Sequence, residues 1–173
     1  VGTYDGNDGL DRVVLGFTNT YKAAPVKVEA TEDVQLHKVL TGRDWKASDS
    51  FEFTLVADDA ANPSLERATC TVTQPEGTAD GTDVPFDFGG ATFDAPGQYH
   101  YTVTETNGGQ TIDGVKYDPH TADVYVRVTD PGDGQLIAQA EVNSGTFTNT
   151  YEAELNHNDA GGIIVTKTTN GHD

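Results

Sequence analysis

The sequence predicts an all-β chain, and three observations predict it. Apolar residues come in short runs that alternate with polar ones, the period of a half-buried strand. Clusters of Gly, Pro, Asn and Asp punctuate those runs at the spacing of a sandwich of short strands. No stretch sustains a helical period between caps. The hydrophobic fraction is only 35%, but alternation makes it the signature of strands with one wet face rather than of disorder. At 173 residues the chain has room for one ordinary domain, alone or with pieces of its neighbours.

Taken in order, VGTYDGNDGLDR is a turn-rich opening. Its Asp5, Asn7 and Gly9 lack the third ligand, central glycine and closing glutamate of an EF-hand loop, so they read as a solvated turn. VVLGFTNTY reads as strand until KAAP ends it. From Val26 the chain alternates, and VQLHKVL sets Val34, Leu36, Lys38 and Leu40 on one face, with Gln35, His37 and Val39 on the other. FEFTLV points Phe51, Phe53 and Leu55 inward, and ATCTVT does the same with Cys70 and Val72. QPEGTADGTD is a loop by composition, VPFDFGGATF resumes strand character and DAPGQ turns the chain. YHYTVTE then puts Tyr99, Tyr101, Val103 and Glu105 on one face. NGGQTIDGVKYDP is a long loop or partial strand. TADVYVRVTD carries Val124, Val126 and Val128 on one side, and after DPGDG the runs QLIAQAEV and GTFTNTY complete the set, the last with Phe147, Asn149 and Tyr151 together.

The ends of the chain resemble its interior. FTNTYKA at Phe17 matches FTNTYEA at Phe147, and VQLHKVLTG at Val34 is loosely matched by IIVTKTTNG at Ile163, both at an offset of about 130 residues. The simplest reading is a tandem array. Residues 1–25 would be the last strand of a preceding repeat, 26–153 one whole repeat, 154–162 a linker, and 163–173 the first strand of a following repeat. Asn19 and Lys167 are then complementary orphans, which would either pair head to tail between molecules or add to the central sandwich.

Charge and cysteine usage narrow the function classes. Ten Lys and Arg against 28 Asp and Glu give a net charge of −18, so nucleic acid and anionic membrane surfaces are repelled. Acidic residues such as Asp58, Asp59, Asp80 and Asp83 read as a solubilising surface. The single cysteine, Cys70, allows no disulfide within the chain and reads as a small core residue. His37, His100, His120, His157 and His172 show no ligand spacing, with His37 and His100 on solvated faces. No cofactor or metal is expected. Nor is there an 18-residue apolar run, a secretory signal or a wall-sorting motif, so the chain reads as a fragment of a longer protein.

Three polar residues break the pattern by pointing inward: Lys38, Glu105 and Asn149. Buried charges must be paired or neutralised, and burial can lower a lysine or raise a carboxyl by roughly 3 to 5 pKa units. One outcome is a buried salt bridge with asparagine as hydrogen-bond partner. The other is covalent. A neutral amine is a nucleophile, a protonated Glu105 can hydrogen-bond the Asn149 carboxamide oxygen, and the same carboxyl can pass protons to departing ammonia, leaving a Lys–Asn amide.

KVLTGRDW, FEFTLV, FDAPGQYHYTVTETNGG, YDPHTADVYVRVTD and FTNTY together resemble the pilin isopeptide-linkage repeat of Gram-positive surface proteins, a relative of Cna B-type domains, over roughly residues 30–152. The resemblance implies an Ig-like β-sandwich with an intramolecular isopeptide cross-link joining Lys38 to Asn149, with Glu105 as proton shuttle. It implies a structural stalk module of a pilus or adhesin, wall-anchored outside the cell, with neighbouring repeats as partners. Its only chemistry would be one autocatalytic event, not enzymatic turnover. Trp45, where such repeats more often have an aliphatic residue, and a long loop from Gln74 to Asp83 are departures. An alternative on the same fold is an adhesin domain binding host glycan or matrix protein, with Trp45 or Tyr117 as candidate exposed aromatics; a hydrolase would need an open cleft at Glu105.

Overall fold

A computed structural model describes residues 16–29 and 34–153. The turn at Asp5, the proposed linker 154–162 and the Lys167 segment lie outside the described residues. Among those described there are twelve strands and no helix: β1 Val26–Val28, β2 Leu36–Thr41, β3 Ser50–Ala57, β4 Thr69–Thr73, β5 Asp83–Phe86, β6 Ala91–Phe93, β7 Gly97–Glu105, β8 Thr111–Ile112, β9 Val115–Lys116, β10 Thr121–Thr129, β11 Ile137–Asn143 and β12 Thr146–Tyr151.

Two five-stranded sheets form the sandwich, in the orders β11-β10-β7-β3-β4 and β5-β2-β12-β9-β8, while β1 and β6 make a separate ribbon. The first sheet is antiparallel throughout. In the second, β2 and β12 run parallel, so the first long strand of the domain lies beside its last. Alternation explains the core. Ala122, Val124, Val126 and Val128 face inward from β10, and Phe51, Phe53 and Leu55 from β3. The sheets meet at aromatics, with Phe53 of β3 stacked at 4.3 Å on Phe86 of β5 and 5.0 Å from Phe147 of β12. Burying one such side chain contributes about 1.5 to 3 kcal/mol.

The segment read as loop or partial strand is a hairpin. β8 and β9 pair across Asp113 and Gly114, whose φ values of 50° and 77° suit the Asp-Gly turn of a two-residue β-hairpin.

The two departures from the family pattern meet. The Gln74–Asp83 loop folds over Trp45, taking its amide on the Thr78 carbonyl at 2.9 Å and giving the Gly77 amide to its carbonyl at 2.8 Å. Trp45 is 1% exposed and packs edge-on against Phe51, and Tyr117 is half-buried against the same ring. Neither is the free loop aromatic that a ligand surface would use.

The outward histidines and acidic residues also have partners. His37 Nδ1 meets Asp83, and His100 bridges Asp58 and Asp123 while stacking on Tyr125 at 4.3 Å. Asp59 caps the Ala61 amide and Asp80 the Gly42 amide. Side chains read as a solubilising surface therefore also fasten strands and turns. Cys70 is half-buried, and burial pushes its thiol up.

Phe17–Tyr21, expected as strand, has no strand pairing. Instead the Tyr21 hydroxyl donates to Asp130 Oδ1 at 2.9 Å and accepts from the Gly134 amide at 3.0 Å, and Ala24 bridges Gln135 in parallel.

Candidate functional site

Each of the three inward polar residues arrives on a different strand. On β2, Lys38 stands opposite Phe147 of β12 and Val84 of β5. Asn149 lies two residues further along β12, on the same face, opposite Leu40. Glu105 ends β7 in the facing sheet, opposite Phe53. The β2–β12 pairing thus makes Lys38 and Asn149 diagonal neighbours, and sandwich closure brings Glu105 onto both. At the end of β2, Gly42 has φ 90°, and a Cβ there would stand 2.2 Å from the Tyr151 carbonyl oxygen. Only glycine lets the two strand ends approach so closely.

The site is dry. Lys38 and Asn149 are 0% exposed and Glu105 5%. Glu105 Oε1 lies 3.1 Å from Lys38 Nζ and accepts a 2.7 Å hydrogen bond from Asn149 Nδ2. The Lys38 approach is off the direction of a hydrogen bond, and Glu105 Oε2 has no protein partner. The ammonium sits 4.6 Å over the Phe51 ring and 5.8 Å from that of Phe53, so its surroundings are aromatic rather than aqueous. Burial lowers Lys38 to about 8, against the opposing pull of Glu105. Burial raises Glu105, although Lys38 and Asn149 both favour its charged form. Both shifts move the pair from its ordinary charges toward amine and carboxylic acid.

One expectation about this geometry needs correcting. Glu105 faces the Asn149 amide nitrogen, not the carboxamide oxygen. That oxygen accepts a 2.9 Å hydrogen bond from the Asp118 backbone N–H. A backbone N–H can only donate, so the atom opposite it must be Oδ1, and the carboxamide orientation is fixed.

Asp118 and His120 are the site residues that sequence reading missed. The Asp118 carboxylate accepts from the Thr148 amide at 2.8 Å and from the His120 amide at 3.1 Å, and lies 2.6 Å from His120 Nδ1. The His120 ring stacks on Phe147 at 4.3 Å. An Asp capping the amide two residues on is a local signal present in YDPH. Its reach to Thr148 and Asn149 is not local. Among the described residues no cluster of three or more His, Cys, Asp or Glu could hold a metal ion, and no helix is long and apolar enough to cross a membrane.

Known proteins give this geometry a context. Among curated proteins, none matches the chain. The chain is similar to the solved major pilin of Streptococcus pyogenes at 21% identity and TM-score 0.49, over 75% of this chain and 50% of that one. It is also similar to the T-13 major pilin of the same organism at 22% identity and TM-score 0.47, over 75% and 54%. The chain therefore spans only about half the length of these structures. Residues 34–152, which hold Lys38, Glu105, Asp118 and Asn149, match the family described as FctA, Spy0128-like isopeptide containing domain. The match covers well over half of the chain, which belongs to that isopeptide-containing domain family.

Proposed function

We propose that this chain is a structural stalk module of a Gram-positive pilus or surface adhesin, stabilised by a Lys38–Asn149 isopeptide bond that forms autocatalytically with Glu105 as proton shuttle. The observation that carries this reading is a single Glu105 oxygen within 3.1 Å of the Lys38 amine and 2.7 Å of the Asn149 amide nitrogen, in a site without water access.

The chemistry follows from that geometry. With the proton on Glu105, Lys38 Nζ carries a free lone pair and attacks Asn149 Cγ. Glu105 then delivers its proton to Nδ2, which leaves as ammonia, and the resulting carboxylate takes one from the attacking nitrogen. One C–N bond forms, one breaks, and Glu105 returns to its starting state. Proximity contributes much of the rate, because the two side chains are fixed on paired strands. Dryness lowers the proton affinity of the amine and excludes the water that would compete for the carbonyl. A hydrolase would need substrate to reach Glu105, which the two sheets cover.

The bond would join the first long strand to the last. Closing a loop of about 110 residues would contribute on the order of 4 to 5 kcal/mol, by analogy with a disulfide. Tension entering near β2 would then leave through β12 without loading the strands between. Under this reading residues 26–153 are one repeat of an array, displayed outside the cell on the wall, and neighbouring repeats are its partners.

Intact mass tests the proposal. The native 173-residue chain should be lighter than its sequence by one ammonia, and Lys38→Ala and Glu105→Ala should keep the full mass. A native chain of unmodified mass would sink the reading.

A further inference from the structure

We infer that the backbone N–H of Asp118 is the oxyanion donor of bond formation, and that the Asp118 carboxylate with His120 is the buttress that aims it. The inference rests on the isopeptide reading and assigns a role that the Lys38, Glu105 and Asn149 set leaves empty. When Lys38 Nζ adds to Asn149 Cγ, the C=O π electrons move onto Oδ1. Glu105 cannot meet that charge, because its Oε1 faces Nδ2 and Nζ on the other side of the carboxamide. The donor on Oδ1 is the Asp118 amide, 2.9 Å away. As the tetrahedral intermediate collapses, the electrons return to rebuild C=O and ammonia leaves, so the N–H gives up no atom. It stabilises charge that exists only between reactant and product.

Several features hold this donor on its target. Pro119 follows Asp118 and confines its backbone to extended conformations, which limits the directions its N–H can take. The carboxylate of the same residue accepts the Thr148 amide at 2.8 Å. Residue 118 therefore gives a hydrogen bond to the side chain of Asn149 and takes one from the backbone just before it. His120 braces the carboxylate through its amide and ring, with the ring laid on Phe147 at 4.3 Å and its Nε2 2.8 Å from the Ser144 carbonyl oxygen. Burial alone would raise the Asp118 carboxyl, but the hydrogen bonds from His120 and the Thr148 amide hold it below the usual carboxylate range. It stays an acceptor on every side. Phe147, Thr148 and Asn149 are thus each touched by the 118–120 turn, which fixes the carboxamide against both Glu105 and the donor.

The test removes the donor N–H and keeps every side chain. The full chain is made with the α-hydroxy acid counterpart of aspartate at position 118, so that an ester oxygen stands where the N–H was. It is refolded by dilution from denaturant, and ammonia loss is followed by intact mass. Loss of one oxyanion donor should slow the reaction by about 100-fold or more, and cross-linking within about two-fold of the native rate would overturn the inference. Asp118→Ala keeps the N–H but removes the buttress, and should be slowed by about ten-fold, with Asp118→Asn recovering part of the rate through its remaining acceptor oxygen. Equal rates for Asp118→Ala and native would overturn the buttress. If the ester chain does not fold, hydrogen exchange in Lys38→Met, which cannot react, reads the contact directly. The Asp118 amide should be as protected as β12, and exchange at loop rates would overturn the inference. A native chain that loses no ammonia refutes the isopeptide reading, whereas a native chain that loses it while the ester chain keeps pace refutes only the donor.

Discussion

The pentapeptide FTNTY occurs twice in this chain and has two fates. At Phe147–Tyr151 it is β12, with Phe147 and Asn149 both 0% exposed and strands on either side. At Phe17–Tyr21 it has no strand partner, with Phe17 88% exposed and Tyr21 held at the turn after β10 by its hydroxyl. Identical residues have identical propensities, so the difference comes from what lies beside them. In the second copy the parallel neighbour β2 supplies hydrogen bonds and Lys38, and the facing sheet supplies Phe53 and Glu105. The described surroundings of the first copy supply neither. A strand is completed by its neighbours rather than by its own sequence.

Substitution at the matched asparagines breaks the comparison most sharply. If the proposed isopeptide bond forms, Asn149→Ala should abolish ammonia loss and cost about 4 to 5 kcal/mol in urea unfolding through its absence. Asn19→Ala should leave both mass and midpoint unchanged, a shift within about 0.5 kcal/mol. The phenylalanines come next. Phe147→Ala removes a ring packed against Phe53, Phe86 and His120 and should cost about 3 to 5 kcal/mol by the same measurement. Phe17→Ala should fall within about 0.5 kcal/mol, and an equal loss at the two sites would mean that the first copy is also packed.

A pH series sharpens the comparison from the side of the lysine. In Asn149→Ala, Lys38 remains an amine that burial holds at about 8, below its ordinary 10.5. Between those values the unfolded chain binds more protons than the folded one, so stability should rise with pH through that window. In the native chain the amine would be acylated and contribute no such rise. Urea midpoints of both chains at either end of the window give the difference, and parallel curves would argue against a buried titrating amine. The smallest effect concerns the first copy. Tyr21→Phe removes the hydroxyl from Asp130 and Gly134, and should speed exchange of the Gly134 amide while leaving cross-linking unchanged.

Much of this was legible in the residues, for reasons that can be named. Alternation put Lys38 in line with Leu36 and Leu40, Glu105 in line with Tyr101 and Val103, and Asn149 in line with Phe147, and all are buried. A period of two is a property of neighbouring residues, and the sequence contains it whole. Asp113-Gly114 likewise states its turn locally. The burial of Trp45 is not legible locally, because its cover, the loop around Thr78, comes from more than thirty residues away. His37 and His100 were placed outward correctly, but their carboxylate partners sit on other elements.

Asp118 marks the boundary between the two kinds of information. Its cap on the His120 amide lies within YDPH, but its hydrogen bonds to Thr148 and Asn149 span 30 and 31 residues, and no spacing rule connects them. The sequence by itself determined which side chains face the core and which three of them are polar, because side-chain direction in a strand follows from covalent geometry. Only the tertiary structure decided that β2 lies beside β12, that the carboxamide offers its nitrogen to Glu105 and its oxygen to Asp118, and which copy of FTNTY becomes a strand. Those outcomes depend on hydrogen bonds and contacts between distant segments, and they exist only once the two sheets have closed.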